Sequence, residues 1–154
     1  MLLSTLAGCG RAESAPAVRY TLLDGRKGDL AALRGHVVLV NFWATDCPPC
    51  VAEMPRLVDL WREFMPRGFE TLAVSMSYDP PALVSNFAQS RALPFGVVID
   101  NTGEIADRFG GIRFTPTTLL IDKRGEIVAR WTGTADFAAL REQVGSLLAE
   151  RTPR

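Results

Sequence analysis

VVLVNFWATDCPPCVAEMP, running from Val37 to Pro55, decides how this chain folds. Its first seven residues, Val37 to Trp43, are β-branched, aliphatic and aromatic apart from Asn41, the composition of a buried strand. Ala44-Thr45-Asp46 breaks the run, and Cys47-Pro48-Pro49-Cys50 opens a segment of helical period. Val51, Met54, Leu57 or Val58, Trp61 and Phe64 recur at three-to-four-residue steps and mark one apolar face. Two thiols therefore sit where a buried strand hands over to a buried helix.

The prolines distinguish the two cysteines. Pro48 suits the first helical position, where its missing N–H costs nothing and its fixed φ already matches a helix. Cys47 is then the N-cap. Its sulfur lies near the Cys50 N–H and the positive end of the helix dipole, surroundings that stabilise a thiolate. Cys50, one turn inside, is expected to be the more buried thiol. The pattern describes a redox dithiol in which Cys47 attacks and Cys50 resolves the mixed disulfide. A static disulfide or half of a zinc site would use the same pair. Zinc needs two more ligands, though, and the chain has only His36 and Cys9 left to offer, so no metal is expected.

The run Asn41-Phe42-Trp43-Ala44-Thr45-x-Cys47-Pro48-Pro49-Cys50-x-x-Glu53-Met54-Pro55 resembles the active-site segment of bacterial thioredoxin-like thiol-disulfide oxidoreductases of the TlpA/ResA type. The likeness extends from about Val18 to the C-terminal helix. It implies a thioredoxin fold: an α/β domain with a mixed central β-sheet flanked by helices, an added N-terminal β-hairpin and an inserted helix–strand element. The chain departs from the resemblance at Asp46, where the family usually carries a second Trp.

At 154 residues there is room for one domain with a real core and not for two. Seventeen basic residues balance 17 acidic ones and are scattered among them, which argues against a nucleic-acid partner. No stretch is long and apolar enough to cross a bilayer as a helix. Leu6-Ala7-Gly8-Cys9 resembles a bacterial lipobox, in which the Cys is lipidated and the preceding peptide removed. A signal peptide runs ~15–30 residues, more than precede Cys9, so lipidation requires a start farther upstream. An idle Cys in a tail is the alternative. GRAESAPA, Gly10 to Ala17, is small, polar and Pro-containing, and is expected to be a flexible tether. The expected organisation is thus a signal remnant and tether over residues 1–17 and a thioredoxin-like domain over 18–152.

Beyond the tether, Val18 to Leu23 alternates as a short strand and Asp24-Gly25 signals a turn. His36 opens the central strand at the end away from the cysteines, ~20 Å off at 3.3 Å per residue, and is expected to be a surface residue. Pro55 falls inside the first long helix and predicts a kink. Phe69 to Met76 predicts a buried strand, Asp79-Pro80 a cap for a helix to about Arg91, and Phe95 to Ile99 a further strand. A short helix to Phe109 should stop at Gly110-Gly111. A strand over Thr118 to Ile121, a hairpin through Lys123-Arg124-Gly125 and a strand over Ile127 to Trp131 lead to a last helix, apolar at Phe137, Leu140, Val144, Leu147 and Leu148.

Three further positions bear on the chemistry. The resemblance implies that the Thr115-Pro116 bond is cis, faces the dithiol and presents its backbone to an extended client strand, with Phe114 narrowing the groove where relatives often have Gly. Glu53 lies one turn beyond Cys50, where a carboxylate of raised pKa suits acceptance of the Cys50 proton; its counterpart in ResA-type proteins is credited with such a role. Asn41 occupies the place of a buried Asp in thioredoxin and cannot take that proton itself. Trp43 reads as core or rim packing or as a shield over the dithiol, and it is grouped with Thr115 and Pro116 as a client-binding position. Asp46, Pro48 and Pro49 are expected to tune the Cys47 thiol.

The expected function is reduction of disulfides in exported proteins by a membrane-tethered, extracytoplasmic monomer, with a redox-active Cys47–Cys50 disulfide and no dissociable cofactor. The resemblance implies a membrane thiol as electron donor and apocytochrome c or a copper-site protein as clients. Two rivals share the fold. A thiol peroxidase needs Thr three residues before its Cys, and Thr45 is two before Cys47; a copper-delivery module needs a distal His or Met set, and His36 is badly placed.

Overall fold

The computed structural model describes residues 12–152. In chain order, β1 (Glu13–Ser14) precedes a hairpin of β2 (Arg19–Thr21) and β3 (Lys27–Asp29), and a 3-10 turn over Leu30–Leu33 leads into β4 (Val37–Trp43). α1 (Pro48–Phe64), β5 (Phe69–Ser75), α2 (Pro81–Ser90), β6 (Gly96–Ile99) and α3 (Glu104–Arg108) follow. β7 (Thr117–Ile121), β8 (Glu126–Thr132) and α4 (Phe137–Ala149) complete the chain.

β4 is the hub because all seven of its residues are buried. In the main sheet, ordered β1-β8-β7-β4-β5-β6, β4 runs parallel to β5 and antiparallel to β7. Side chains alternate across a strand. Val37, Leu39 and Trp43 accordingly face a core built with Met54, Leu57, Leu60 and Phe64 of α1, Val84 of α2 and Leu140 and Val144 of α4. Val38, Val40 and Phe42 face the other core, with Val18, Leu30, Ile105 and Phe109. Helices thus cover both faces, as a sheet with two apolar faces requires. β4, β5 and β6 all end, and β7 begins, on one side of the molecule, and the turn carrying the cysteines leaves from that side.

The expected α/β sandwich, hairpin and inserted helix–strand element are all present, with three differences of detail. Residues 10–17 are not a tether throughout, since Glu13 and Ser14 pair with Ile127 and Glu126 at the free edge of β8. The polar composition of that stretch gives no sign of the pairing because an edge strand of two residues needs no buried side chains. α1 buries Leu60 in place of Trp61, which lies half-buried at the rim. Pro55 lies inside α1 as expected, on its exposed side, where a missing N–H is least costly. Asp79 does not cap α2: Pro80 holds the N-cap position and no side chain bonds there.

Candidate active site

The seam between β4 and α1 follows from its prolines. Cys47 is the N-cap in extended conformation, Pro48 is the first helical residue, and the Cys50 N–H donates to Cys47 Sγ at 3.3 Å. The two sulfurs are joined as a disulfide across a Cα–Cα distance of 5.2 Å. The pair is asymmetric. Cys47 keeps 9% of its surface exposed and Cys50 1%, so a macromolecule can approach only the first sulfur. Asp46, immediately before it, is exposed, as are Pro48 and Pro49.

Glu53 is 3% exposed on the buried face of α1. Its Oε1 accepts the Ala135 N–H at 2.7 Å, from the loop before α4, while its Oε2 is buried without a hydrogen-bond partner. Burial pushes its carboxyl above the ordinary value of 4.5, opposed by the Ala135 bond and the Arg56 charge. A buried acid with one oxygen uncommitted is suited to take up and release a proton. Asn41, on the β4 face beneath α1, donates from Nδ2 to Thr118 Oγ1 at 3.1 Å and so ties β4 to β7 inside the core.

The Thr115–Pro116 peptide is cis. Pro116 is buried and Thr115 half-buried, and the Pro116 carbonyl accepts the Gly133 N–H at 2.8 Å. Because Thr117 pairs with Phe42, this bond lies at the end of the sheet from which the cysteine turn departs. Phe114, 66% exposed, projects beside it. Trp43 packs in the core, wholly buried with its ring centroid 5.1 Å from that of Phe87, and so is not the client-binding residue expected. Both faces of β4 are covered, and the alternation along the strand places Trp43 in the core beneath α1 and α2. His36 is half-buried at the opposite end of β4. Cys9 lies outside the described residues.

A groove of about 1290 Å³ runs between the hairpin, β6 and α3, lined by Tyr20, Leu22, Val98 and Arg108 among others and by neither cysteine. Among the described residues no cluster of His, Cys, Asp and Glu is assembled as a metal site. One residue of the site was not foreseen: the buried Asp79 carboxylate bonds Thr45, two residues before Cys47. An Asp directly before two prolines that cannot receive it was the available signal.

A strand, a Cys-x-x-Cys helix start and a cis-proline at the same end of a mixed sheet define a thioredoxin-like redox fold. Residues 11–143 match the model of the Redoxin family, and the chain belongs to that family. It is 41% identical over 96 residues to the thiol-disulfide oxidoreductase ResA of Halalkalibacterium halodurans, a match covering 61% of this chain and 54% of that protein. The ResA of Bacillus anthracis is 35% identical over 98 residues, covering 64% and 56%. The chain thus spans about half the length of the curated relatives it matches. Two solved structures superpose with a TM-score of 0.82. One is a putative thiol:disulfide interchange protein DsbE from Chlorobium tepidum, 26% identical, covering 90% of this chain and 97% of that one. The other is a putative thioredoxin from Neisseria meningitidis, 34% identical, covering 88% and 90%.

Proposed function

We propose that the protein is a thiol-disulfide oxidoreductase that reduces disulfides in other exported proteins. The observation that carries this reading is the asymmetry of the dithiol, with Cys47 reachable at a helix N-terminus and Cys50 enclosed behind it. In the reduced protein the Cys47 thiolate attacks a client disulfide, forming a mixed disulfide and releasing one client thiolate. Cys50, deprotonated with Glu53 as acceptor, then attacks Cys47 Sγ, releasing the second client thiolate and forming the Cys47–Cys50 disulfide. Two electrons pass to the client, which takes up two protons. A thiol donor at the membrane returns the electrons by the reverse exchange, and no dissociable cofactor takes part. Thr115 and Pro116 form the backbone platform for the client. Asn41, Asp46, Pro48 and Pro49 tune the thiols.

The names of the ResA relatives support the reaction class. Apocytochrome c and copper-site proteins are the client classes proposed, with the protein acting as a monomer outside the cytoplasm. No described helix is long and apolar enough to cross a membrane. Attachment is proposed through lipid on Cys9, and a diacylglycerol mass on that residue in the native protein is the check; an unmodified Cys9 in fully soluble native protein refutes the anchor.

Trapping tests the order of attack. Cys50→Ser is expected to accumulate mixed disulfides with clients, and Cys47→Ser to accumulate few. Equal trapping by both variants, or more by Cys47→Ser, overturns the assignment. A dithiol potential near about −120 mV instead of about −270 mV would make the protein an oxidant and overturn the direction.

A further inference from the structure

The turn that delivers Cys47 is held from the neighbouring strand. Thr45 and Asp46 form its middle, and the Cys47 N–H closes it by donating to the Ala44 carbonyl at 3.3 Å. One carboxylate grips Thr45 twice: the Thr45 N–H donates to Asp79 Oδ2 at 2.7 Å and the Thr45 hydroxyl to Asp79 Oδ1 at 2.6 Å. Asp79 is 4% exposed and Thr45 half-buried, so both bonds are partly shielded from water. The link closes a ring. The Met76 N–H donates to the Trp43 carbonyl and the Asp79 N–H to the Met76 carbonyl, each at 3.0 Å, so the loop after β5 is fastened to the chain on both sides of Ala44. Pro80 and Pro81 have no N–H to offer Asp79, which leaves its carboxylate free to be used on the cysteine turn.

We propose that Asp79 is a positioning residue for Cys47. Its carboxylate fixes the Ala44-to-Cys47 turn in the geometry that holds the Cys47 sulfur against the Cys50 N–H. It thereby sets how much thiolate forms and how fast it attacks, without touching the client. The role deepens the proposed function and rests on Cys47 being the attacking thiol. Two opposed effects act on the sulfur: the negative charge of Asp79 disfavours a thiolate, and the geometry it enforces favours one. Neutral replacements separate them.

Asp79→Asn can keep both bonds, its carbonyl accepting from the Thr45 N–H and its amide donating to a Thr45 hydroxyl turned to accept. Asp79→Leu is also neutral and of similar size, but keeps neither. Asp46 on the cysteine turn and Glu53, Asp59 and Glu63 on α1 are the same in both. The experiment is the pH profile of iodoacetamide alkylation of each reduced variant, with the modified cysteine identified by mass. The Cys47 midpoint of Asp79→Leu is expected above that of Asp79→Asn. Its Cys47 alkylation at neutral pH should be about two- to tenfold slower, the factor carried by one hydrogen bond of ordinary net strength.

Equal Cys47 midpoints in the two variants, or a lower one in Asp79→Leu, overturn the proposal. If Asp79→Leu does not fold, Thr45→Val against Thr45→Ser decides instead, since Ser keeps the hydroxyl and every acid is unchanged. The midpoint of Thr45→Val is then expected to be the higher, and equality again overturns the role. Should Cys50 prove the faster-alkylated thiol in the wild-type protein, the order of attack fails. A fast Cys47 insensitive to both pairs of variants removes only the role of Asp79.

Discussion

Glu53→Gln is expected to leave the fold intact, stabilise it at neutral pH and cripple the second half of the reaction. The amide can still accept the Ala135 N–H through its oxygen, so the link from α1 to the loop before α4 survives. What changes is the second oxygen, which is buried without a partner. A buried neutral polar group left unpaired costs about 1–3 kcal/mol and an ionised one more, while a charge-assisted bond like that from Ala135 offsets about 1.5–3 kcal/mol. Burial is the largest of the influences on Glu53, so its ionised form is less stable in this site than the neutral amide. Because burial raises its pKa, the folded protein retains a proton above 4.5 where the unfolded chain has lost it. The wild type therefore loses stability as pH rises from about 4.5 through the raised value, and the variant does not. Urea titrations of the oxidised proteins should show no gap near pH 4 and a gap in favour of the variant that opens as pH rises through the window. In client reduction the variant should keep the Cys47 alkylation rate and prolong the mixed disulfide by about 100-fold, the lower range of general acid–base catalysis. A stability gap that does not depend on pH, or a mixed disulfide resolved at the wild-type rate, refutes the assignment of Glu53.

Two further outcomes follow from the surface around Cys47. Asp46→Asn should lower the Cys47 alkylation midpoint and speed the reaction at neutral pH by about two- to fivefold, since neighbouring exposed charges interact by about 1 kcal/mol or less in water. The effect should shrink in high salt, and an unchanged or raised midpoint makes Asp46 an inert loop residue. Phe114→Ala should leave stability within about 0.5 kcal/mol, as expected of a surface side chain, and change the rate with a protein client but not the reduction of the disulfide by dithiothreitol. Identical rates with a protein client would remove Phe114 from the client surface.

What was legible in the sequence was local. Pro48 fixes the helix start by its own φ, so Cys47 as N-cap and Cys50 as the enclosed thiol could be read from four residues. The core strands follow from unbroken β-branched and aliphatic runs and the helices from a period of three to four. The rest depended on partners far along the chain. The Glu53 bond is made to a backbone N–H 82 residues away, and no side-chain pattern marks that donor. The residue type of Trp43 leaves open whether it faces a client; both faces of β4 are covered, and the odd–even alternation places it in the core with Val37 and Leu39. Asp79 was misread for a similar reason. An acid before a proline is a common helix opening, and the partner that outbids the helix, Thr45, lies 34 residues upstream.

These non-local contacts concentrate at one end of the molecule because the connectivity brings the chain there repeatedly. Parallel pairing of β4 with β5 sends both strands toward the same side, and the antiparallel partner β7 must then begin on that side. Three loops, those carrying Thr45, Asp79 and Pro116, therefore meet where β4 ends, whatever their composition. A carboxylate on the second can hold the first, and a proline on the third can flank both. Such an arrangement permits the reactive sulfur to be positioned by bonds to a buried carboxylate, which the cysteine turn could not provide from its own four residues. The same geometry isolates His36. It stands at the far end of β4, half-buried beside Gly68, and the seven-residue strand between it and the cysteine turn separates it from the chemistry.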